Sequence, residues 1–102
     1  MYRASDAVDN EEWLAALDDA ATELDLDDEA RSTAGDLFLS TMPDRERSKR
    51  AALAASIYAG ALIAGDERSQ GDVADAVGAS RLAVQERWKD VLREAGFEPP
   101  TW

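Results

Sequence analysis

The chain of 102 residues contains no cysteine and no histidine. Without cysteine there is neither a disulfide framework nor a thiolate metal site. Without histidine the usual general base and the usual nitrogen ligand for zinc are both missing, which argues against hydrolytic and zinc chemistry. No nucleophile–base pair and no cofactor motif is found, so a non-enzyme without a cofactor is expected. Long apolar runs are missing as well. The longest nearly uncharged stretch, Ala51 to Ala64, falls short of the ~18–20 apolar residues that a membrane span needs. It predicts a buried core helix instead. The opening Met1-Tyr2-Arg3-Ala4-Ser5-Asp6 lacks the basic-then-apolar pattern of a secretion signal, so a cytoplasmic location is expected.

What is present is mostly acid, and its placement is informative. The net charge is −11. Residues 1–46 hold 14 acids against Arg3, Arg31 and Arg45, whereas residues 47–102 hold 8 acids against 8 bases. A uniform nucleic-acid coat is excluded, because binding phosphates needs a basic footprint. A neutral C-terminal half with one basic edge remains compatible with it. Asp outnumbers Glu, Arg outnumbers Lys nine to two, and alanine is abundant. That balance fits an extreme halophile, which stays solvated through surface acid at the expense of lysine. An ordinary acidic protein from a GC-rich genome is the other reading.

The length suits a single domain with one core, and five helices can be read. In the first, Asp9 or Asn10 is the candidate N-cap, and Trp13, Leu17, Ala20 or Ala21, and Leu24 recur at helical spacing. The second begins near Asp27 or Asp28, turns Ala30, Ala34, Leu37, Phe38 and Met42 inward, and ends before Pro43. The third runs from about Arg45 to Ala64 and is apolar on nearly every face, which predicts a helix surrounded by others. The fourth starts at Ser69 with Asp72 as a capping-box partner and ends at Val77-Gly78. The fifth has Ser80 as N-cap and an inner stripe of Val84, Trp88, Val91, Leu92 and Ala95. Gly96 suits its C′ position, and Phe97 supplies the hydrophobic contact that usually follows. Pro99 and Pro100 leave residues 97–102 as a short tail. With no strand-type alternation anywhere, the expected class is all-α.

Within residues 69–95, Ala74, Gly78 and Val84 are spaced as a helix-turn-helix requires: a small residue at the crossing, glycine in the turn, an apolar residue to seat the second helix. Two ordinary packed helices joined by a glycine turn would show the same spacing. Further motifs fall in order around it. Ala54-Ala55-Ser56-Ile57-Tyr58-Ala59, Gly65-Asp66-Glu67-Arg68-Ser69-Gln70, Val73-Ala74, Gly78, Ser80, Val84 and Arg87-Trp88-Lys89 together resemble one cyclin-like repeat of transcription factor IIB and its archaeal counterpart, transcription initiation factor B. The similarity spans roughly residues 47–92, and the helix count extends it to a single cyclin-like domain over residues 1–102.

The resemblance implies a five-helix cyclin-like bundle acting at promoters, with its last two helices on DNA and other surfaces meeting TATA-binding protein or RNA polymerase. Carried over residue by residue, Arg81, Gln85, Arg87 and Lys89 occupy or flank the DNA-facing side of the fifth helix, with Ser80 at its start. Gln85 would read an adenine edge and Arg81 a guanine edge or a phosphate. Arg68 and Ser69 would meet a phosphate at the start of the fourth helix. The recognition helix departs from the family pattern at Ala83, Gln85 and Glu86, and Glu86 would repel phosphate. The chain also lacks the zinc ribbon and the second repeat. The alternative is therefore a protein–protein module that keeps the fold without DNA binding; a homodimer imitating two repeats is a further expectation. Outside that region, Arg45, Arg47, Lys49 and Arg50 form a basic cluster, readable as a solvated helix end or as a contact for phosphate or an acidic partner. Asp25-Leu26-Asp27-Asp28-Glu29 faintly mimics a calcium loop, but Ala30 stands where the turn demands glycine, so capping and surface acid explain it.

Overall fold

A computed structural model describes residues 11–101, apart from the side chains of residues 46 and 47. The proposed caps Asp9 and Asn10, and Trp102, lie outside the described residues. Five helices follow in order: α1 (Glu11–Glu23), α2 (Asp28–Thr41), α3 (Glu46–Ile63), α4 (Gln70–Val77) and α5 (Arg81–Glu94). No strand occurs among the described residues, which are all-helical apart from their turns and joints. None of the described helices is long and apolar enough to cross a membrane.

Local chemistry sets most of the boundaries. Asp27 caps α2, its Oδ1 accepting from the Ala30 amide at 2.8 Å. This is the capping role read from the acidic run, and it stops one donor of the first turn from being orphaned. Ser69 Oγ accepts from the Asp72 amide and Ser80 Oγ from the Ala83 amide, each at 3.0 Å. Met42 takes an extended ψ of 128° directly before Pro43, which ends α2. Gly78 sits at φ 79° and Gly96 at φ 91°, left-handed positions that a side chain tolerates poorly. After Gly96 the Phe97 amide donates to the Leu92 carbonyl at 2.8 Å. Phe97 itself falls short of the expected hydrophobic seal, because 46% of it stays exposed. The turn after α1 is closed at Asp25, which takes φ 57° as the Leu26 amide donates back to the Ala21 carbonyl.

Helix α3 is the centre of the bundle. Leu53, Ala54, Ala55, Ser56, Ile57, Ala59 and Ala61 are all fully buried, enclosed by α1, α2, α4 and α5. Its far end is different. Leu62 is only half-buried and Ile63 is exposed, so the helix is not enclosed on every face in its last turn. Its alanines and Gly60 admit close neighbours, α2 above all. The side chains of Leu17, Phe38, Tyr58, Val73, Val84 and Trp88 complete the core. Tyr58 and Trp88 meet edge to face, their ring centroids 5.3 Å apart. Helix α1 packs on α2, α3 and α4.

Candidate nucleic-acid interface

The joint between α4 and α5 is three residues long, Gly78-Ala79-Ser80, and holds the two helices over a shared apolar seam of Val73, Ala74, Val77 and Val84, all buried. With that seam facing in, Arg81, Gln85 and Lys89 follow each other at four-residue steps and fall on one stripe. Together with Gln70 at the start of α4 they line a groove of about 400 Å³ whose wall is Trp88. Lys89 stacks its ammonium over the Trp88 ring, 5.5 Å from the centroid. Two cations and two amides thus share one surface. They can donate to phosphate oxygens, and the amides can both donate to and accept from base edges. Gln70 joins this set only through the fold. Leu82 (61% exposed) and Glu86 stand on the outward side of the same helix.

Arg87 does not join the stripe. It lies two positions from Gln85, roughly 200° round the helix, and lines a separate groove with Met42, Asp44, Asp90 and Glu94. Three carboxylates there make a poor surface for phosphate, and Arg87, expected to flank the DNA-facing side, stands apart from the groove of Arg81, Gln85 and Lys89.

Arg68, expected to meet a phosphate, is engaged within the fold. Its guanidinium donates to the Leu24 carbonyl at 3.0 Å, the Asp25 carbonyl at 3.1 Å, and Asp66 Oδ1 at 2.7 Å. It also donates to the carbonyls of Asp66 and Glu67. The side chain therefore ties the α3–α4 joint to the end of α1, satisfying carbonyls that a helix terminus leaves orphaned. Beside it, Glu23, Asp72 and Asp75 line the adjoining groove. Those carboxylates oppose a phosphate at the start of α4, where Ser69 serves as the N-cap.

The basic cluster divides. Arg50 Nη1 donates to the Val77 carbonyl at 2.7 Å, and its guanidinium lies 5.4 Å from the Trp13 ring centroid. It is a clasp between α1, the start of α3 and the last turn of α4. Arg45 is exposed at the N-cap position of α3 and Lys49 is half-buried; the side chain of Arg47 lies outside the described residues. Through Arg50 the basic start of α3 is held beside the α4–α5 turn. Among the described residues no group of three or more His, Cys, Asp or Glu side chains could hold a metal ion.

The Asp66 carboxyl is held in its charged form by its neighbours. The Arg68 hydrogen bond, with a second from the Asp27 amide at 3.1 Å, holds its carboxyl below the ordinary value of 3.8. A carboxyl depressed in the folded state stabilises the fold above its unfolded pKa, and that contribution is lost as pH falls through the folded value. Asp66→Asn should therefore melt below the unchanged protein at neutral pH, and the gap should close as pH falls below about 4. Chemical denaturation at several pH values checks this; a gap that stays constant would show that Asp66 acts without its charge.

No family model matches the chain, and no curated protein is significantly similar to it.

Proposed function

We propose that this chain is a cyclin-like DNA- and protein-binding module, a single-repeat relative of transcription factor B, with α4 and α5 as its helix-turn-helix. The observation that carries the reading is the groove in which Arg81, Gln85, Lys89 and Gln70 converge on one face of α5. The order of the motifs along the chain supports the family, and the left-handed Gly78 suits the tight turn such a pair needs. On this reading α5 lies in the major groove with Arg81 and Gln85 toward base edges, while Lys89 holds a phosphate. The acids of α1 and α2 then point to solvent or to a basic protein such as TATA-binding protein or polymerase. The surplus of Asp over Glu and of Arg over Lys fits a life in concentrated salt.

The test is a titration with duplex DNA at low and high salt, with and without TATA-binding protein. Arg81→Ala and Gln85→Ala should weaken binding about five- to 150-fold and relax the preferred sequence. Lys89→Ala should weaken all sequences alike and lower the salt slope by about 0.9. Glu86→Gln should tighten binding by removing a repulsion, and Arg87→Ala should leave it nearly unchanged. Tighter binding after loss of both Arg81 and Lys89 would overturn the orientation.

A second reading, a protein-interaction module without DNA binding, is favoured by the exposed carboxylates Asp18, Asp19, Glu23 and Asp25 on and just after α1. Neutralising these four should then abolish co-purification with a basic partner, while DNA affinity is negligible throughout. On the DNA reading the same change raises DNA affinity modestly at low salt, and the gain fades as salt screens it.

A further inference from the structure

Helix α4 contributes Gln70 to the groove on α5, so the pose of α4 decides whether Gln70 faces the same ligand as Arg81, Gln85 and Lys89. That pose is not secured by α4 alone. The helix has 8 residues, well below the roughly 12–15 at which an isolated helix persists, and contacts from other elements must fix it. At its start Ser69 caps it from the adjoining turn. At its end the Gly78 and Ala79 amides both donate to the Ala74 carbonyl at 2.9 Å, and the Val77 carbonyl accepts from Arg50 Nη1 at 2.7 Å. A guanidinium at that place satisfies a carbonyl that the helix end leaves orphaned, and its charge complements the helix dipole.

Arg50 is itself anchored on two sides. Leu53 and Ala54, in the next turn of α3, are fully buried, and the guanidinium lies 5.4 Å from the Trp13 ring of α1. One side chain thus joins the central helix and α1 to the last residue of α4, one position before the left-handed Gly78. Helix α4 is about 12 Å long, and a tilt of about 10° at Val77 carries Gln70 roughly 2 Å, enough to break a hydrogen bond. We propose that Arg50 is a positioning residue for the groove on α5: it holds the end of α4 so that Gln70 stays in register with Arg81, Gln85 and Lys89, without touching the ligand itself. The inference rests on the reading of that groove as a DNA site.

The test pairs DNA binding with hydrogen exchange on the full chain, at a temperature where circular dichroism shows every variant folded. The probe is the duplex that the unchanged protein selects most tightly from a random pool. Arg50→Leu should weaken binding about two- to 30-fold, the range for a group that acts through packed neighbours, and leave the salt slope unchanged. The Gly78 and Ala79 amides should exchange several-fold faster, while those of Leu26 and Phe97, in the turns after α1 and α5, should not. Trp13→Leu removes the ring beside the guanidinium and should act in the same direction with smaller size. The double variant should lose less than the sum, because both changes loosen one contact. A salt slope lowered by about 0.9 with exchange unaltered would make Arg50 a phosphate contact and overturn the proposal. Equal acceleration at all four amides would overturn it as well, by showing general destabilisation, and so would binding and exchange that both stay unchanged. If the unchanged protein takes up no duplex, the DNA reading falls, and the exchange of Gly78 and Ala79 alone decides whether Arg50 fixes the turn.

Discussion

Gly60→Ala is expected to destabilise the protein by about 1–3 kcal/mol, and Gly60→Val to prevent cooperative folding. A Cβ at position 60 would stand 2.7 Å from the Ala34 nitrogen, 2.8 Å from its Cα and 3.0 Å from its Cβ. Two of those atoms are backbone, so no side-chain rotation relieves the clash. Helices α2 and α3 must separate along the largest interface of the bundle. The sign of the change is diagnostic. In an unobstructed helix interior, alanine in place of glycine stabilises by about 0.8–1 kcal/mol. Gly35 and Gly71 are the internal controls: a Cβ on either meets nothing within 4 Å, and neither has a positive φ. Gly35→Ala and Gly71→Ala should raise the denaturation midpoint while Gly60→Ala lowers it. If all three raise it, the α2–α3 crossing leaves room for a Cβ at position 60.

The second large effect is expected at Trp88. Trp88→Ala should cost about 3–5 kcal/mol, which for a domain of this size lowers the melting temperature by well over 10 °C. Trp88 is only 3% exposed, meets the Tyr58 ring edge to face with an interplanar angle of 74°, and lines the groove on α5. Removing it leaves a cavity against α3 that two close-packed helices cannot collapse into. Trp88→Phe keeps an aromatic surface toward Tyr58 and should cost less than half as much. Thermal melts followed by circular dichroism separate these outcomes. Equal losses for alanine and phenylalanine would mean that a specific contact of the indole ring, rather than filled volume, dominates at this site.

These two positions differ in how far they could be read in advance. Trp88 stands on the apolar stripe of α5 with Val84, Val91 and Leu92, and its burial follows from spacing alone. Gly60 sits in a run of small residues that predicts close neighbours but does not say which one bears the contact. The identity of Ala34 as its partner requires the crossing angle and register of two helices, which no local pattern contains.

The same division holds for the charged residues. The stripe Arg81, Gln85, Lys89 and the displacement of Arg87 from it both follow from the helical repeat, and the sequence already held that information. The fates of Arg68 and Arg50 did not. Each long side chain can reach solvent, phosphate or a carbonyl, and the choice rests on which helix end the fold brings near: Leu24 and Asp25 for Arg68, Val77 for Arg50. A helix terminus exposes carbonyls that want donors, and arginine supplies several.

The helices, their order and most of their caps were therefore determined by the sequence itself. Asp27, Ser69, Ser80, Gly78 and Gly96 act on backbone groups within a few residues of themselves, and apolar spacing marks α3 as the central helix. Only the tertiary structure decided which basic groups remain at the surface of α5 and which are spent as clasps. It also decided which glycine is pressed against a neighbour. Those outcomes join residues tens of positions apart, and their energies arise only when the helices are packed.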